Sequence, residues 1–151
     1  MKHGSRLLGV DYGHVRIGLA ITDEDRRIAS PLATYARRIR AEDARFFQHL
    51  VTTEDIETIV LGLPVRIDGT EGAKAAEVRR FGDWLATATG LPVVYFDERF
   101  TTVEAESHLL AAGLTSKRRK ARRDRVAAQI LLQSYIDAGC PTEGVERDDL
   151  S

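Results

Sequence analysis

The first third of the chain alternates short apolar runs with polar turns. Leu7–Asp11 is the first apolar run, and the turn-rich segment YGHVR separates it from a second run, Ile17–Thr22. The polar group DEDRR follows, and Ile28–Ala36 continues in an extended pattern. Pro31 cannot donate a ladder hydrogen bond, so it restricts this third strand to a sheet edge or an irregular stretch. Three strands joined by short links predict an antiparallel meander.

From about residue 40 the pattern changes to helices that alternate with fully apolar strands. Helices are predicted over Ala41–Thr52, Glu71–Thr89, Thr101–Ala112 and Lys117–Asp137, and strands over Thr58–Gly62 and Val93–Phe96. Continuous apolar strands are typical of a sheet that is covered on both faces. The order of elements predicts an α/β fold with one mixed five-stranded sheet flanked by helices. A chain of 151 residues is expected to form one domain, with its core over about 6–138 and a polar tail over 139–151.

The distribution of charge along the chain is more informative than its total. The composition is that of a soluble globular protein, and the formal net charge of −1 by itself argues against a nucleic-acid binder. Lys117–Arg125, however, holds seven basic residues and one acid, so the rest of the chain sums to −7. Such a run is either a solvated helix face or a surface for a polyanion.

The single cysteine, Cys140, excludes an internal disulfide framework and a cysteine-based zinc site, and it fits a reducing compartment. The four histidines are scattered without the spacing of zinc ligands. No run approaches the roughly 20 apolar residues that span a bilayer. The N-terminal segment reaches Asp11 before an apolar stretch of signal-peptide length can form. We therefore expect a cytoplasmic protein that does not span a membrane.

Carboxylates lie at the ends of three predicted elements. Asp11 ends the first strand, Asp97 and Glu98 end the last strand, and Asp124 opens the final helix. An acid that ends an apolar strand must be hydrated, paired or metal-bound, because burying it alone is costly. Each of these residues is therefore either a turn-forming or capping residue or part of a functional site.

The periodicity of the final helix predicts that Asp124 points inward. At 3.6 residues per turn, one stripe contains Asp124, Ala127, Ala128, Leu131 and Tyr135, and the opposite, polar stripe contains Arg122, Arg125, Gln129 and Gln133. The two alanines would let the helix approach the sheet closely. Clustered carboxylates would repel one another unless cations compensated them, and Mg²⁺ or Mn²⁺ prefers oxygen ligands. An oxygen-only site beside a basic run suits metal-assisted phosphoryl chemistry, although spacing alone leaves the convergence of the acids open.

Four segments of the chain carry a family resemblance. VDYGHVRIGLAITD, VLGLPVRIDGTEG, VVYFDERFTTVEAE and DRVAAQILLQSYID follow one another between about Leu7 and Asp137. In order and spacing they resemble the signature blocks of the YqgF (RuvX) family of RuvC-like, Holliday-junction-resolvase-like nucleases. That family is discussed as the maturation nuclease for the 5′ end of pre-16S ribosomal RNA in ribosome biogenesis. The resemblance implies an RNase H-like fold and a metal-dependent endonuclease with Mg²⁺ or Mn²⁺ as cofactor.

The resemblance also implies a set of site residues. By position, the catalytic and metal-binding acids are Asp11, Glu98 and Asp124, and Asp97 competes with Glu98 because alternation puts neighbouring residues on opposite faces. Arg16 and Arg99 each either contact a substrate phosphate or pair with a nearby acid. The residues expected to contact a nucleic-acid backbone are Lys117, Arg118, Arg119, Lys120, Arg122 and Arg123.

Three other functions stay open on the sequence. The first is a Holliday junction resolvase that acts on branched DNA, and the second is a non-catalytic nucleic-acid-binding protein. The third is an actin-like ATP-binding domain, because DYGHVRIGLA also resembles the phosphate loop of that superfamily, although those proteins need two such lobes. The expected partner is an RNA precursor or branched DNA, and the protein is expected to be a monomer or a homodimer.

Overall fold

The computed structural model describes residues 5–100 and 116–142. The strands are β1 (Arg6–Asp11), β2 (Arg16–Thr22), β3 (Ala29–Ala36), β4 (Ile56–Leu63) and β5 (Val93–Asp97). The helices are α1 (Arg40–Thr53), α2 (Ala73–Thr89) and α3 (Ser116–Asp137), and a short 3₁₀ turn, Glu98–Phe100, follows β5. No helix in this part of the chain combines the length and the apolarity needed to cross a bilayer.

The strands form one mixed sheet of five strands in the order β3-β2-β1-β4-β5. The first three strands pair in antiparallel fashion, whereas β4 pairs in parallel with both β1 and β5. This topology confirms the predicted fold class. β3 lies at an edge of the sheet, and Pro31 faces Ala20 next to a shift in register, where a residue without an N–H is tolerated.

Alternate residues of the strands pack into two separate hydrophobic cores, one on each face of the sheet. On one face, Leu8 packs with Phe47 of α1 and with the buried residues of α2. On the other face, Leu7 packs with Leu132 of α3. Because side chains alternate along a strand, Asp11 falls on the same face as Leu7, which is the face covered by α3.

Some predicted boundaries differ from the structure. α2 begins at Ala73, not at Glu71, because Glu71 forms a β-bridge with Val65 that closes the loop after β4. The predicted helix over Thr101–Ala112 lies outside the described residues, and so does the part of the predicted tail beyond residue 142.

The polar stripe of α3 contacts the sheet, just as the apolar stripe does. The Nε2 of Gln129 donates a hydrogen bond to the carbonyl oxygen of Ala29 at 3.1 Å, and the N–H of Ala29 donates one to the Oε1 of Gln133 at 2.9 Å. These two amides satisfy backbone groups of the edge strand β3. The polar stripe of α3 thus satisfies the backbone at the start of β3.

Candidate active site

Two carboxylates lie at the carboxyl-terminal edge of the parallel part of the sheet. Asp11 is the last residue of β1, and Glu98 directly follows β5. Strand alternation carries Glu98 to the same face as Phe96, which packs in the α3 core. On the strand between them, a Cβ atom on Gly62 would lie 2.7 Å from the Oε2 of Glu98. The missing side chain at Gly62 therefore leaves the space that the Glu98 carboxylate occupies.

A second glycine brings Asp124 to the same place. Gly18 of β2 is the register partner of Asp11, and a Cβ atom on Gly18 would overlap the main-chain carbonyl of Asp124. At Gly9 a Cβ atom would lie 3.1 Å from the carbonyl oxygen of Ala128. The backbone of α3 thus lies directly on β1 and β2, and this close approach places Asp124 beside Asp11.

Asp124 points toward the sheet, as its helical stripe predicts, and there it pairs with a basic residue of β2. The Nε of Arg16 donates a hydrogen bond to the Oδ2 of Asp124 at 2.6 Å. This partner is 108 residues away in sequence and is not part of the basic run around Asp124. Of the two alternatives for Arg16, a phosphate contact or a carboxylate pair, the structure displays the carboxylate pair.

Asp11 lies in the electrostatic field of the two other acids. Burial, followed by the negative charges of Glu98 and Asp124, raises the pKa of Asp11 from 3.8 to about 7, against an opposing effect of Lys74. Burial also raises the pKa of Glu98, and Lys74 again acts in the opposite direction. Such mutual repulsion is relieved when a cation binds between the carboxylates.

Asp11 and Glu98 line one pocket of about 190 Å³, which we call the carboxylate pocket. The residues around it are Asp11, Tyr12, Gly13, His14, Pro64, Lys74, Glu77, Val78 and Glu98. Lys74, in the first turn of α2, is a basic residue of this site that was not predicted from the sequence. Its signal in the sequence is its position just after the GLPVRIDGTEG loop, at a helix N-terminus that favours anions.

A family model described as "RuvX: Holliday junction resolvase" matches residues 5–138 of the chain. The chain belongs to the RuvX family. A relative from Rhodopirellula baltica, named "Putative pre-16S rRNA nuclease", is 47% identical over 133 residues, which cover 88% of this chain and 77% of the relative. A relative of the same name from Syntrophus aciditrophicus is 45% identical and is covered to 89% of its length. These matches confirm the predicted family and the predicted class of enzyme, a nuclease.

Solved structures of resolvases share the fold of this RuvX chain. Thermus thermophilus RuvC, in complex with a Holliday junction substrate, matches with a TM-score of 0.57 at 15% identity, over 91% of this chain and 98% of that chain. The fowlpox virus Holliday junction resolvase matches with a TM-score of 0.51 at 13% identity, over 88% and 99% of the two chains. At these identities the likeness concerns the fold alone, and it confirms the predicted RNase H-like architecture.

The donor atoms of the RuvX carboxylates suit a hard divalent cation, because they are all oxygens and they repel one another. Within residues 5–100 and 116–142, no three His, Cys, Asp or Glu side chains already stand in an arrangement that could hold a metal ion. Asp11 and Glu98 line the same pocket, whereas Asp124 is paired with Arg16.

Asp97, the competing candidate, is paired with Arg99. The Nη2 of Arg99 lies 2.6 Å from the Oδ2 of Asp97. Burial acts to raise the pKa of Asp97, but the hydrogen bonds from Arg99 outweigh it and hold this pKa below its ordinary value. Arg99 also donates from Nη1 to the carbonyl oxygen of Ile67 at 3.3 Å. The pair of Asp97 and Arg99 therefore ties the end of β5 to the loop after β4.

None of the residues of the basic run on α3 lines the carboxylate pocket. Lys117, Arg118, Lys120 and Arg122 are exposed, whereas Arg119 and Arg123 are half-buried. Arg125, which was not among the predicted contacts, donates to the Oγ1 of Thr34 at 3.3 Å. It joins Arg118 and Arg122 around a surface depression of about 430 Å³. Contact between this run and a nucleic-acid backbone stays a prediction.

Proposed function

We propose that this RuvX chain is a divalent-metal endonuclease that acts on structured RNA, at the 5′ end of the pre-16S rRNA precursor, in the cytoplasm. The observation that carries the proposal is the grouping of Asp11, Glu98 and Asp124 on one face of the sheet edge, close enough for each neighbour to raise the pKa of Asp11. Strongly perturbed carboxylates in a cleft are typical of catalytic sites. The names of the relatives support the choice of substrate.

Each residue of the site has a proposed role. Asp11 and Glu98 hold a divalent cation, and Asp124 contributes after Arg16 has moved to a phosphate oxygen of the substrate. Bound Mg²⁺ or Mn²⁺ supplies charge stabilisation for the attacking and leaving oxygens of an in-line displacement and lowers the pKa of the attacking water. Lys74 adds positive charge at the rim of the pocket. The expected products carry a 5′-phosphate and a 3′-hydroxyl.

The basic run on α3 supplies affinity in this proposal. Exposed side chains such as Arg118 and Arg122 contact backbone phosphates, which position the substrate without reading its sequence. Binding of this kind weakens steeply with added salt, because counterions are released from the nucleic acid when the complex forms.

A second candidate is cleavage of branched DNA, which the family description as a Holliday junction resolvase favours. The same acids and the same basic run serve a DNA backbone equally well. Resolution of a symmetric junction would favour a homodimer, whereas trimming of an RNA end needs only a monomer.

The test compares two labelled substrates, a pre-16S rRNA 5′ fragment and a synthetic four-way DNA junction, each with Mg²⁺, Mn²⁺ or EDTA. We expect cleavage of the RNA with a divalent cation and none with EDTA. Cleavage of the junction alone would favour the second candidate. Salt-sensitive binding of both substrates without any cleavage would contradict the nuclease and favour a non-catalytic binding protein.

A further inference from the structure

A second and larger pocket adjoins the carboxylate pocket and shares Tyr12 and Glu77 with it. It has a volume of about 410 Å³, and we call it the arginine pocket. Its basic and aromatic lining consists of Tyr12, Arg37, Arg38, Arg40, Arg80, Phe81 and Trp84. The pocket lies where α1 and α2 meet the carboxyl-terminal end of β1, so neither α3 nor its basic run contributes to it.

The two acids in the arginine pocket are already engaged. Asp43 is buried, and it accepts hydrogen bonds from the hydroxyl of Tyr35 at 2.6 Å and from the N–H of Arg38 at 2.9 Å. Its other oxygen lies 3.8 Å from the Nε of Arg37. The second acid, Glu77, accepts a hydrogen bond from the hydroxyl of Tyr12 at 2.7 Å.

The positive charge of the four arginines in the pocket, in contrast, is only partly paired with acids in the described part of the chain. Within residues 5–100 and 116–142, the guanidinium groups of Arg38 and Arg80 have neither a hydrogen-bond partner nor an ion-pair partner. Both side chains belong to exposed residues. Arg40 lies with its guanidinium carbon 6.0 Å from the ring centre of Trp84. Four arginines against two occupied acids give the pocket a positive field that suits an anion.

The wall between the two pockets is shared and held in place. Tyr12 and Glu77 line both pockets. Arg37 donates from Nη1 to the Tyr12 hydroxyl at 3.1 Å and to the Gly13 carbonyl oxygen at 3.2 Å, and its guanidinium carbon lies 5.2 Å from the centre of the Tyr12 ring. The two pockets therefore meet at Tyr12 and Glu77.

We propose that the arginine pocket binds the backbone phosphates of the substrate strand on the side of the carboxylate pocket away from α3. This inference rests on the proposed function only in taking a nucleic acid as the ligand. The acidic site then lies between two basic surfaces, the run on α3 and the arginine pocket, so that one strand crosses the sheet edge with phosphates held on both sides. The contacts are to phosphate oxygens and carry no sequence preference.

The test uses the double variant Arg38→Gln and Arg80→Gln. These two guanidinium groups make no hydrogen bond or ion pair in the part of the chain that the structure describes, so their removal leaves the fold intact. The matched control is Arg27→Gln with Arg45→Gln, which removes the same charge from two exposed positions that line neither pocket. Thermal midpoints of both variants equal to that of the parent verify folding.

Binding of a labelled single-stranded RNA is measured in EDTA, where cleavage cannot interfere, over a series of salt concentrations. Each phosphate contact contributes about 0.7 to the slope of log K against log salt for a single strand. We expect the slope to fall by about 1.4 in the arginine-pocket variant, by the same amount on unrelated sequences, and to stay at the parent value in the control. Equal slopes in the parent and both variants would overturn the inference, and so would an equal fall in the control.

Two further measurements distinguish strand binding by the arginine pocket from a small-anion site and from the proposed nuclease activity. Titration with inorganic phosphate tests a small-anion site: loss of phosphate binding with unchanged RNA binding would overturn the strand-binding assignment. Cleavage by the parent is scored separately. If the parent never cleaves but the arginine-pocket variant binds RNA with a reduced salt slope, the nuclease proposal is contradicted and the arginine-pocket proposal stands. If the parent does not bind RNA, both proposals are contradicted.

Discussion

Gly18 and Asp124 are in direct backbone contact, since a Cβ atom on Gly18 would overlap the main-chain carbonyl of Asp124. Gly18 is also the register partner of Asp11. The depth at which α3 lies on the sheet, and with it the approach of the Asp124 carboxylate to Asp11, thus depends on a residue that has no side chain.

Substitution Gly18→Ala tests this contact. The new methyl group meets backbone rather than a movable side chain, so α3 must shift away from β2. We expect a loss of about 2–3 kcal/mol in the free energy of unfolding, together with loss of cleavage. The thermal midpoint would fall by roughly 5–10 °C.

The control is Gly72→Ala, where a Cβ atom meets only the guanidinium group of Arg66. This end of a flexible side chain can move, so the midpoint should change little. Equal effects of the two substitutions would contradict the role of Gly18.

The ionisation of Asp11 predicts a stability that depends on pH in the metal-free protein. The carboxyl group has a pKa of 3.8 as its ordinary value and about 7 in the fold. Between these two values the folded state keeps a proton that the unfolded state loses, so stability falls as the pH rises through this window and stays low above it. The loss amounts to at most about 4 kcal/mol.

Asp11→Asn removes this loss, because an amide is neutral at every pH. In EDTA, the variant and the parent should have similar thermal midpoints at pH 4, and the variant should be clearly more stable at pH 8. A difference between the two midpoints that does not change with pH would contradict the raised pKa.

The two acids at the end of β5 should behave differently. Glu98 shares the α3 face and the carboxylate pocket with Asp11, whereas Asp97 is engaged by Arg99. We therefore expect Glu98→Gln to abolish cleavage with little effect on folding. Asp97→Asn should retain much of the activity and should loosen the loop that Arg99 holds.

Parallel assays of cleavage and of limited proteolysis separate these effects. Proteolysis in the loop after β4 should increase in the Asp97 variant and not in the Glu98 variant. An inactive Asp97→Asn protein beside an active Glu98→Gln protein would reverse the assignment.

Much of this site follows from the sequence because its signals are local. Strand ends, the apolar runs and the stripe of Asp124 are visible in the order of residues, and they predicted the mixed sheet, the inward carboxylate and the candidate acids. At the end of β5, alternation places the side chains of Asp97 and Glu98 on opposite faces of the sheet, so only one of them can face the other acids. Which of the two faces α3 depends on the pairing of β5 with β4, and that pairing is a property of the whole sheet.

Other features depend on contacts between residues distant in sequence. Gly18 contacts Asp124 only because α3 packs across β2. Arg16 pairs with Asp124 although the two residues are 108 positions apart in sequence. Gln129 and Gln133 look like a solvent-facing stripe on a helical wheel, yet they satisfy the edge strand. Lys74 follows a loop that favours anions, but the packing of α2 is what brings it to the carboxylates.

Lys74 should tune the ionisation of the site. Its positive charge lowers the pKa of both Asp11 and Glu98. Lys74→Gln removes this charge, so both carboxyl groups should ionise at higher pH, and the acidic limb of the pH profile of cleavage should move to higher pH. The control is Arg66→Gln, an exposed residue near α2 that does not line the carboxylate pocket. A shift of the limb in the control, or none in the Lys74 variant, would contradict this role.

The most direct test of the acidic site is single-turnover cleavage of the pre-16S rRNA 5′ fragment by the parent and by Asp11→Asn, with binding of the same RNA measured in parallel. We predict Mg²⁺- or Mn²⁺-dependent cleavage by the parent, none by the variant, and similar affinities for both proteins, since the basic surfaces are unchanged. Cleavage by purified Asp11→Asn at the rate of the parent would contradict the assignment of the active site to these carboxylates.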